Sequence, residues 1–311
     1  MRYPVRVAAV ALALGAIALS ETSGAAATNP QLAGLQVALA RKGLYRGTVD
    51  ATPGPLTEAA ILRFQEHAKL VPDGIVGPKT RNALGAFARQ LFGTRVMKPG
   101  TTGWDVGVLQ YLLVRRALLA ATPNGHFGPQ TEAAVIRFQR ARRLVPDGVV
   151  GPVTSHALCK LAVCTWSAAK APKAAAAPSA PVTKAGVRSL LDQWSAYYGV
   201  DQHLVRGLAW QESGYQQSVV SKSGAVGVMQ ITPETWSYVE TFVVGHRVSS
   251  GVEGNVQIGV AYIHYLLQMF AGNTAKAVAA YYQGPASVSV YGISDASQVY
   301  VNDVLALAQR L

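Results

Sequence analysis

Apolar residues recur every three or four positions along much of this 311-residue chain. This spacing places them on one face of an α-helix. In the C-terminal part, two such apolar stripes are Val187, Leu190, Leu191 and Trp194, and then Leu204, Val205, Leu208 and Ala209. The pattern predicts a mainly α-helical protein, and the length suggests two or three domains.

An internal repeat with an offset of 74 residues dominates the N-terminal half. Pro55–Leu84 and Pro129–Leu158 are identical at 19 of 30 positions without a gap. Each unit of about 60 residues predicts three helices, the second after a turn and the third from a Gly-Pro start. No acid–base pair or metal-ligand cluster repeats between the units, so we do not expect catalysis there.

The two units differ at one turn. Asp50-Ala51 in the first unit stands where the second unit has Asn124-Gly125. Glycine adopts positive φ without a steric penalty and alanine does not. We therefore expect the turn of the first unit to take a different conformation.

Composition marks segments outside the helical units. Arg2 and Arg6 precede an apolar run of about 13 residues and the small residues at 25–27, which predicts a signal peptide over 1–27. The run is shorter than the roughly 20 residues that span a bilayer, and an uncleaved anchor is the alternative. Residues 166–185 are rich in Ala, Pro and Lys and predict a linker. It could reach on the order of 50 Å, so the C-terminal domain is expected to sweep around its docking point.

Charge is uneven along the chain. Residues 28–165 contain 17 lysines and arginines and 7 acids, whereas residues 186–311 contain 6 and 8. In an exported protein this surplus suits an anionic wall polymer better than nucleic acid, although it is equally compatible with a merely soluble basic surface. The two cysteines, Cys159 and Cys164, lack neighbouring ligands for zinc and favour a disulfide, with free thiols as the alternative.

The candidate catalytic group is Glu212. It lies on the apolar face formed by Leu208 and Ala209, in the last turn of the predicted helix that Asp201 caps. Apolar neighbours and the negative end of the helix dipole both raise a carboxyl pKa, as a general acid requires. A buried glutamate in an ion pair is the alternative, since structural pairs also perturb carboxylates.

The residues after Glu212 resemble the signature of the soluble lytic transglycosylase and goose-type lysozyme family. The resemblance lies in Glu212-Ser213, Ser221 with Gly224-Ala225, the segment 227–230 (Gly-Val-Met-Gln), and Pro233 with Thr235. Asn255, Gly259 and Tyr262, the segment 280–285 and Tyr300-Val301 extend it over roughly residues 187–310, with Tyr282 in place of the family's Asn. The resemblance implies a lysozyme-like fold.

The repeated units resemble the small three-helix peptidoglycan-binding module. Together the two resemblances divide the chain into a signal peptide (1–27), module 1 (28–92), module 2 (93–165), a linker (166–185) and a catalytic domain (186–311). A role of the modules as a protein–protein spacer is the alternative. Peptidoglycan strands are the implied partner, and neither a cofactor nor a metal is expected.

The family resemblance implies cleavage of the bond between N-acetylmuramic acid and N-acetylglucosamine with a single carboxylate. Glu212 would be the catalytic residue, and Ser221, Gln230, Tyr281 and Tyr300 would line the substrate site. Two alternatives remain open. A hydrolytic lysozyme would use another acid to position water. A wall-binding protein with a degenerate, inactive enzyme domain would not cleave the glycan at all.

Overall fold

The computed structural model describes residues 29–159 and 183–311, and within them the fold is built from helices joined by short turns. The helices are α1 (Pro30–Arg41), α2 (Pro55–His67), α3 (Pro78–Leu84), α4 (Trp104–Val114), α5 (Pro129–Ala141), α6 (Pro152–Cys159), α7 (Lys184–Tyr198), α8 (Gln202–Ser213), α9 (Pro233–Val239), α10 (Val252–Met269), α11 (Thr274–Gln283), α12 (Pro285–Tyr291) and α13 (Asp295–Ala308). A π-helical segment, Glu240–Val244, follows α9 directly. The predicted mainly α-helical class is confirmed.

Each module contains the three predicted helices, and a buried glutamine ties the first helix to the turn that precedes the second. In module 2 the Gln110 side chain accepts from the amides of Asn124 and Gly125 at 2.8 Å and donates to the Thr131 hydroxyl at 3.1 Å. Gln36 makes the corresponding contacts in module 1. Buried amide side chains that are fully bonded in this way fix a single arrangement of the helices.

The expectation of a different turn conformation in module 1 is wrong. Ala51 has φ 59° and Gly125 has φ 73°, so both turns use the left-handed region. The physical reason is the hydrogen bond that the Ala51 amide donates to Gln36 Oε1 at 3.0 Å. This bond requires the amide to point at helix α1. The fold therefore retains the turn despite a backbone conformation that costs an alanine roughly 1–2 kcal/mol.

In the C-terminal domain, α8 and α13 lie side by side. Helix α8 contains Glu212, and helix α13 contains Tyr300. Gly207 in α8 permits their close approach, since a Cβ at this position would lie 2.8 Å from both Val304 O and Ala308 N. These atoms belong to the α13 backbone and cannot move as a flexible side chain can. The spacing between the two helices therefore depends on Gly207.

We expect Gly207→Val to lower the stability of the C-terminal domain by about 1–3 kcal/mol, the usual cost of overpacking. Thermal unfolding followed by circular dichroism measures it. Gly54→Val is the matched control, because Gly54 has extended backbone and open space where its Cβ would lie. An unchanged midpoint for Gly207→Val would contradict the assigned role of this glycine.

Module 1 packs directly on the C-terminal domain. The Arg81 guanidinium donates to Ser237 Oγ at 2.7 Å, and the Asn29 side chain donates to the Phe242 carbonyl at 2.5 Å. Module 2 also contacts this domain, since the ring centroids of Trp104 in α4 and Phe242 lie 6.0 Å apart. The expectation that the domain sweeps freely around its docking point is therefore wrong for this arrangement. The linker length alone could not reveal these contacts.

Several predictions fall wholly or partly on residues outside the described ranges. The signal peptide (1–27), Cys164 and linker residues 166–182 lie there, so the disulfide between Cys159 and Cys164 stays a prediction. Helix α7 begins at Lys184, two residues before the predicted start of the catalytic domain. Among the described helices, none combines the length and apolar character needed to cross a membrane.

Candidate active site

Glu212 is the penultimate residue of α8, whose end is fixed by a glycine. Asp201 caps the start of this helix through the His203 and Leu204 amides, as the sequence predicts. Gly214 ends it with φ 61° and donates its N–H to the Trp210 carbonyl. The helix thereby places Glu212 on the same face as the fully buried Leu208 and Ala209.

Burial raises the pKa of Glu212 from its ordinary value of 4.5 to about 7, partly offset by a hydrogen bond from Tyr300. Desolvation penalises the ionised carboxylate, which is the first of the two predicted causes of the shift. The folded protein binds this proton more tightly than the unfolded chain does. The contribution of the protonated carboxyl to the free energy of unfolding is therefore fully present below about pH 4.5. That contribution is lost as pH rises towards about 7. A carboxyl with this pKa can donate and accept a proton near neutral pH.

The Tyr300 hydroxyl donates to Glu212 Oε1, so the helix pair α8–α13 brings two of the predicted site residues together. Tyr300 is 8% exposed, and burial raises its pKa well above the ordinary value of 10. It therefore remains a hydrogen-bond donor at neutral pH. It also stacks on Tyr282, with ring centroids 4.6 Å apart and planes 22° apart.

Tyr281 lies near the same carboxyl. Its hydroxyl donates to the Met229 carbonyl at 2.8 Å. Burial first, and then the nearby Glu212 charge, raise the Tyr281 pKa well above 10. Tyr281 therefore joins α11 to the loop after α8.

Gln230 and Ser221 shape this loop with their polar atoms. The Gln230 side chain donates to the carbonyls of Val219 and Gly227 at 3.0 and 2.9 Å, so it clamps the backbone of the loop. Ser221 Oγ accepts from the Ala225 amide at 3.0 Å. Direct contact of Ser221 and Gln230 with substrate stays a prediction.

Two further residues hold the loop against the helices. Asn255, which is 1% exposed, accepts from the Met229 amide at 2.8 Å and donates to the Val226 carbonyl at 2.9 Å. Ser213, directly after Glu212, donates to the Val228 carbonyl at 2.8 Å. Both residues belong to the motifs quoted above, which assign them no role. Their signal was a polar residue among apolar neighbours, since a buried polar group requires a partner.

Tyr282 is a further candidate site residue, which the sequence pattern did not indicate. It was noted only as a departure from the family's Asn, yet it is 56% exposed and one face of its ring covers Tyr300. An exposed aromatic side chain next to a candidate acid is a surface on which a sugar ring can stack. No periodicity of the sequence indicates this, because the stacking depends on how α11 meets α13.

The other acids of the C-terminal domain with identified partners serve structural roles. Asp192 pairs with Arg206 at 2.6 Å, and Glu240 pairs with Arg247 at 3.2 Å. Glu234 accepts the Lys79 amide of module 1 at 3.1 Å. Within the described residues, no second carboxylate contributes to the Glu212 pKa shift. Nor do these residues contain a group of three or more His, Cys, Asp or Glu side chains that could hold a metal ion.

Family comparisons cover most of the chain in separate pieces. Residues 189–300 match the family described as transglycosylase SLT domain. Residues 28–84 and 102–158 each match the family described as putative peptidoglycan binding domain. The first range lies within residues 186–311, and the other two contain the two copies of the internal repeat.

Similar proteins share only parts of their length with the chain. A soluble lytic murein transglycosylase of Escherichia coli is 31% identical over 127 residues, which cover 39% of this chain and 19% of that protein. The N-acetylmuramoyl-L-alanine amidase CwlM of Mycobacterium tuberculosis is 36% identical over 105 residues, covering 32% and 26% respectively. The solved lytic transglycosylase Slt of Pseudomonas aeruginosa, an inactive mutant, aligns with a TM-score of 0.37 at 20% identity, over 58% of this chain and 29% of that one. A score this low adds nothing to the family assignment.

Proposed function

We propose that this protein is a peptidoglycan lytic transglycosylase. The proposal rests on a transglycosylase SLT domain that lies C-terminal to two putative peptidoglycan-binding domains. In this proposal the enzyme cuts the β-1,4 bond between N-acetylmuramic acid and N-acetylglucosamine. The modules hold it on the wall. The matched E. coli protein is named a soluble lytic murein transglycosylase, which supports the reaction class.

The observation that carries the proposal is the state of Glu212. Burial raises the pKa of its carboxyl to about 7, and the carboxyl accepts a hydrogen bond from the Tyr300 hydroxyl. Among the described residues, no second carboxylate contributes to this pKa shift. Most glycosidases use two carboxylates, one as the acid and one as a nucleophile or base. A single carboxyl that can both give and take a proton near neutral pH suits a reaction in which the substrate supplies the nucleophile.

In the first step, protonated Glu212 gives its proton to the glycosidic oxygen as the bond to the muramoyl C1 breaks. The substrate's acetamide stabilises the positive charge that develops at C1. In the second step, ionised Glu212 takes the proton from the muramoyl 6-hydroxyl, whose oxygen bonds to C1. This closes a 1,6-anhydro ring and returns Glu212 to its protonated form, with no net consumption of water.

We further propose that the protein is exported and acts at the wall, because signal-peptide features precede two modules of a wall-binding family. Anionic wall polymers could add to the hold on the wall through the basic N-terminal half. Screening by salt weakens such attractions.

Incubation of the purified protein with purified, insoluble peptidoglycan tests the proposed activity. We expect soluble glycan fragments to be released by the wild type and not by Glu212→Gln. Binding to the wall without release of fragments would favour the non-catalytic alternative. Release that survives Glu212→Gln would overturn the assignment of the acid.

A further inference from the structure

The two modules share a surface, here called the turn face, made of the Asp-Gly turn after the second helix and the first turn of the third helix. It spans residues 73–81 in module 1 and 147–155 in module 2. In module 1 the Lys79 backbone amide donates to Glu234 Oε2 of the C-terminal domain at 3.1 Å. A Cβ at Gly77 would lie 2.1 Å from the same oxygen, so the carboxylate lies directly on the glycine.

The turn face of module 1 also receives a methyl group. A Cβ at Gly74 would lie 2.6 Å from the Cβ of Ala286, at the start of α12. The neighbouring Asp73 is covered as well, since burial raises the pKa of its carboxyl. The turn face of module 1 is therefore occupied by a carboxylate and an alanine methyl from the same chain.

Within residues 29–159 and 183–311, nothing covers the same face of module 2. There a Cβ at Gly151, the counterpart of Gly77, would meet no atom within 4 Å, and at Gly148 the nearest atoms belong to module 2 itself. Val153, the counterpart of Lys79, is 68% exposed, and no acceptor for its amide lies within the described ranges.

The two aspartates show the same contrast in their pKa values. Asp73 and Asp147 accept equivalent hydrogen bonds, at 2.8 and 2.9 Å, from the backbone amide two residues on. This hydrogen bond lowers the pKa of Asp147, whereas burial under the C-terminal domain raises that of Asp73. The two turns make the same local hydrogen bonds. The difference between the two aspartate pKa values therefore comes from the covering of the turn face in module 1.

We propose that the modules have divided labour: module 1 docks on the C-terminal domain, and the open turn face of module 2 binds peptide carboxylates of the wall. The ligand chemistry follows from the occupant of module 1, which is a carboxylate on a helix-start amide beside a methyl group on a glycine. A peptide that ends in alanine combines both groups. This inference rests on the proposed wall-binding function and assigns it to one surface.

Pelleting with insoluble peptidoglycan tests the assignment, using the full chain with Glu212→Gln so that the wall is not digested. We expect Gly151→Leu to block the face and raise the dissociation constant about tenfold, the equivalent of one hydrogen bond to a charged group. Gly54→Leu is the matched control, since Gly54 also has open space where its Cβ would lie and also precedes a helix-start proline. It should bind as the parent does.

A second pair of variants adds a charge without filling space at the turn. Val153→Glu places a carboxylate where the ligand's carboxylate would lie, and acidic residues in a first helical turn do not destabilise the helix. Val145→Glu is its control, because Val145 is 75% exposed and its counterpart Val71 stays 74% exposed outside the covered face of module 1. We expect loss of pelleting for the first variant only.

The outcomes separate the inference from the function on which it rests. If the parent does not pellet at low or moderate salt, wall binding fails and the inference fails with it. If the parent pellets and both Gly151→Leu and Val153→Glu pellet equally well, only the assignment to the turn face is overturned. Amide chemical shifts of Gly151 and Val153 that respond to N-acetyl-D-alanyl-D-alanine, and not to its C-terminal amide, would support the carboxylate ligand. Equal responses to both peptides would contradict it.

Discussion

Glu212→Gln is expected to lower peptidoglycan cleavage by at least about a thousandfold, because general acid–base groups contribute roughly 10²–10⁴-fold each and this one group serves both steps. The amide keeps the shape of the side chain but neither gives nor takes the required protons. Initial rates of fragment release at neutral pH measure the effect. Asp303→Asn, an exposed position on α13, is the charge-matched control and should retain most of the turnover.

Folding should survive this substitution. Above about pH 7 the wild type carries an ionised, desolvated carboxylate, whereas the amide does not, so the melting temperature of the variant should equal or exceed that of the wild type. Wall binding should also persist. A loss as large as that of Glu212→Gln on changing Asp192, Glu234 or another acid, in a protein that remains folded, would contradict the single-carboxylate mechanism.

Tyr300→Phe is expected to move the alkaline limb of the pH–rate profile upward by about one pH unit and to lower the rate at neutral pH about tenfold. The sign follows from the hydrogen bond, which stabilises ionised Glu212 and lowers its pKa. Without the hydroxyl the pKa rises above about 7, so Glu212 stays protonated to higher pH. The rate falls because the second step requires an ionised, oriented carboxylate.

The measurement is the initial rate of fragment release across pH values from 5 to 9, for the wild type and for Tyr300→Phe. Tyr291→Phe is the control, since Tyr291 is 79% exposed and should leave the profile unchanged. A profile of Tyr300→Phe that falls uniformly without moving would mean that the hydroxyl supports packing and leaves the Glu212 pKa unaffected.

Local pattern was sufficient to predict the helices of the modules, helices α7 and α8, and the environment of the acid. The spacing of Leu208 and Ala209 predicts that Glu212 lies on an apolar face, and the structure shows burial as the first cause of its raised pKa. The three-helix plan of each module followed from the internal repeat and its turn residues. These features depend on neighbours within a few positions of the sequence.

Contacts between distant parts of the chain could not be predicted in this way. The Lys79–Glu234 hydrogen bond joins residues 155 positions apart, and Glu234 alone indicates only a favourable charge in a first helical turn. The turn at Ala51 was missed for a similar reason, because the Gln36 contact, and not the local residue preference, fixes its conformation. Tertiary contacts override local preference where a buried polar group must be satisfied.

The most direct test of the central claim is the chemistry of the new chain end. Purified peptidoglycan is digested in water enriched in heavy oxygen, and the fragments are analysed by mass spectrometry. The proposed mechanism predicts 1,6-anhydro-muramoyl ends that are one water lighter than reducing ends and contain no heavy oxygen. Reducing ends that each carry one heavy oxygen would mean that water is the nucleophile, and would contradict the account.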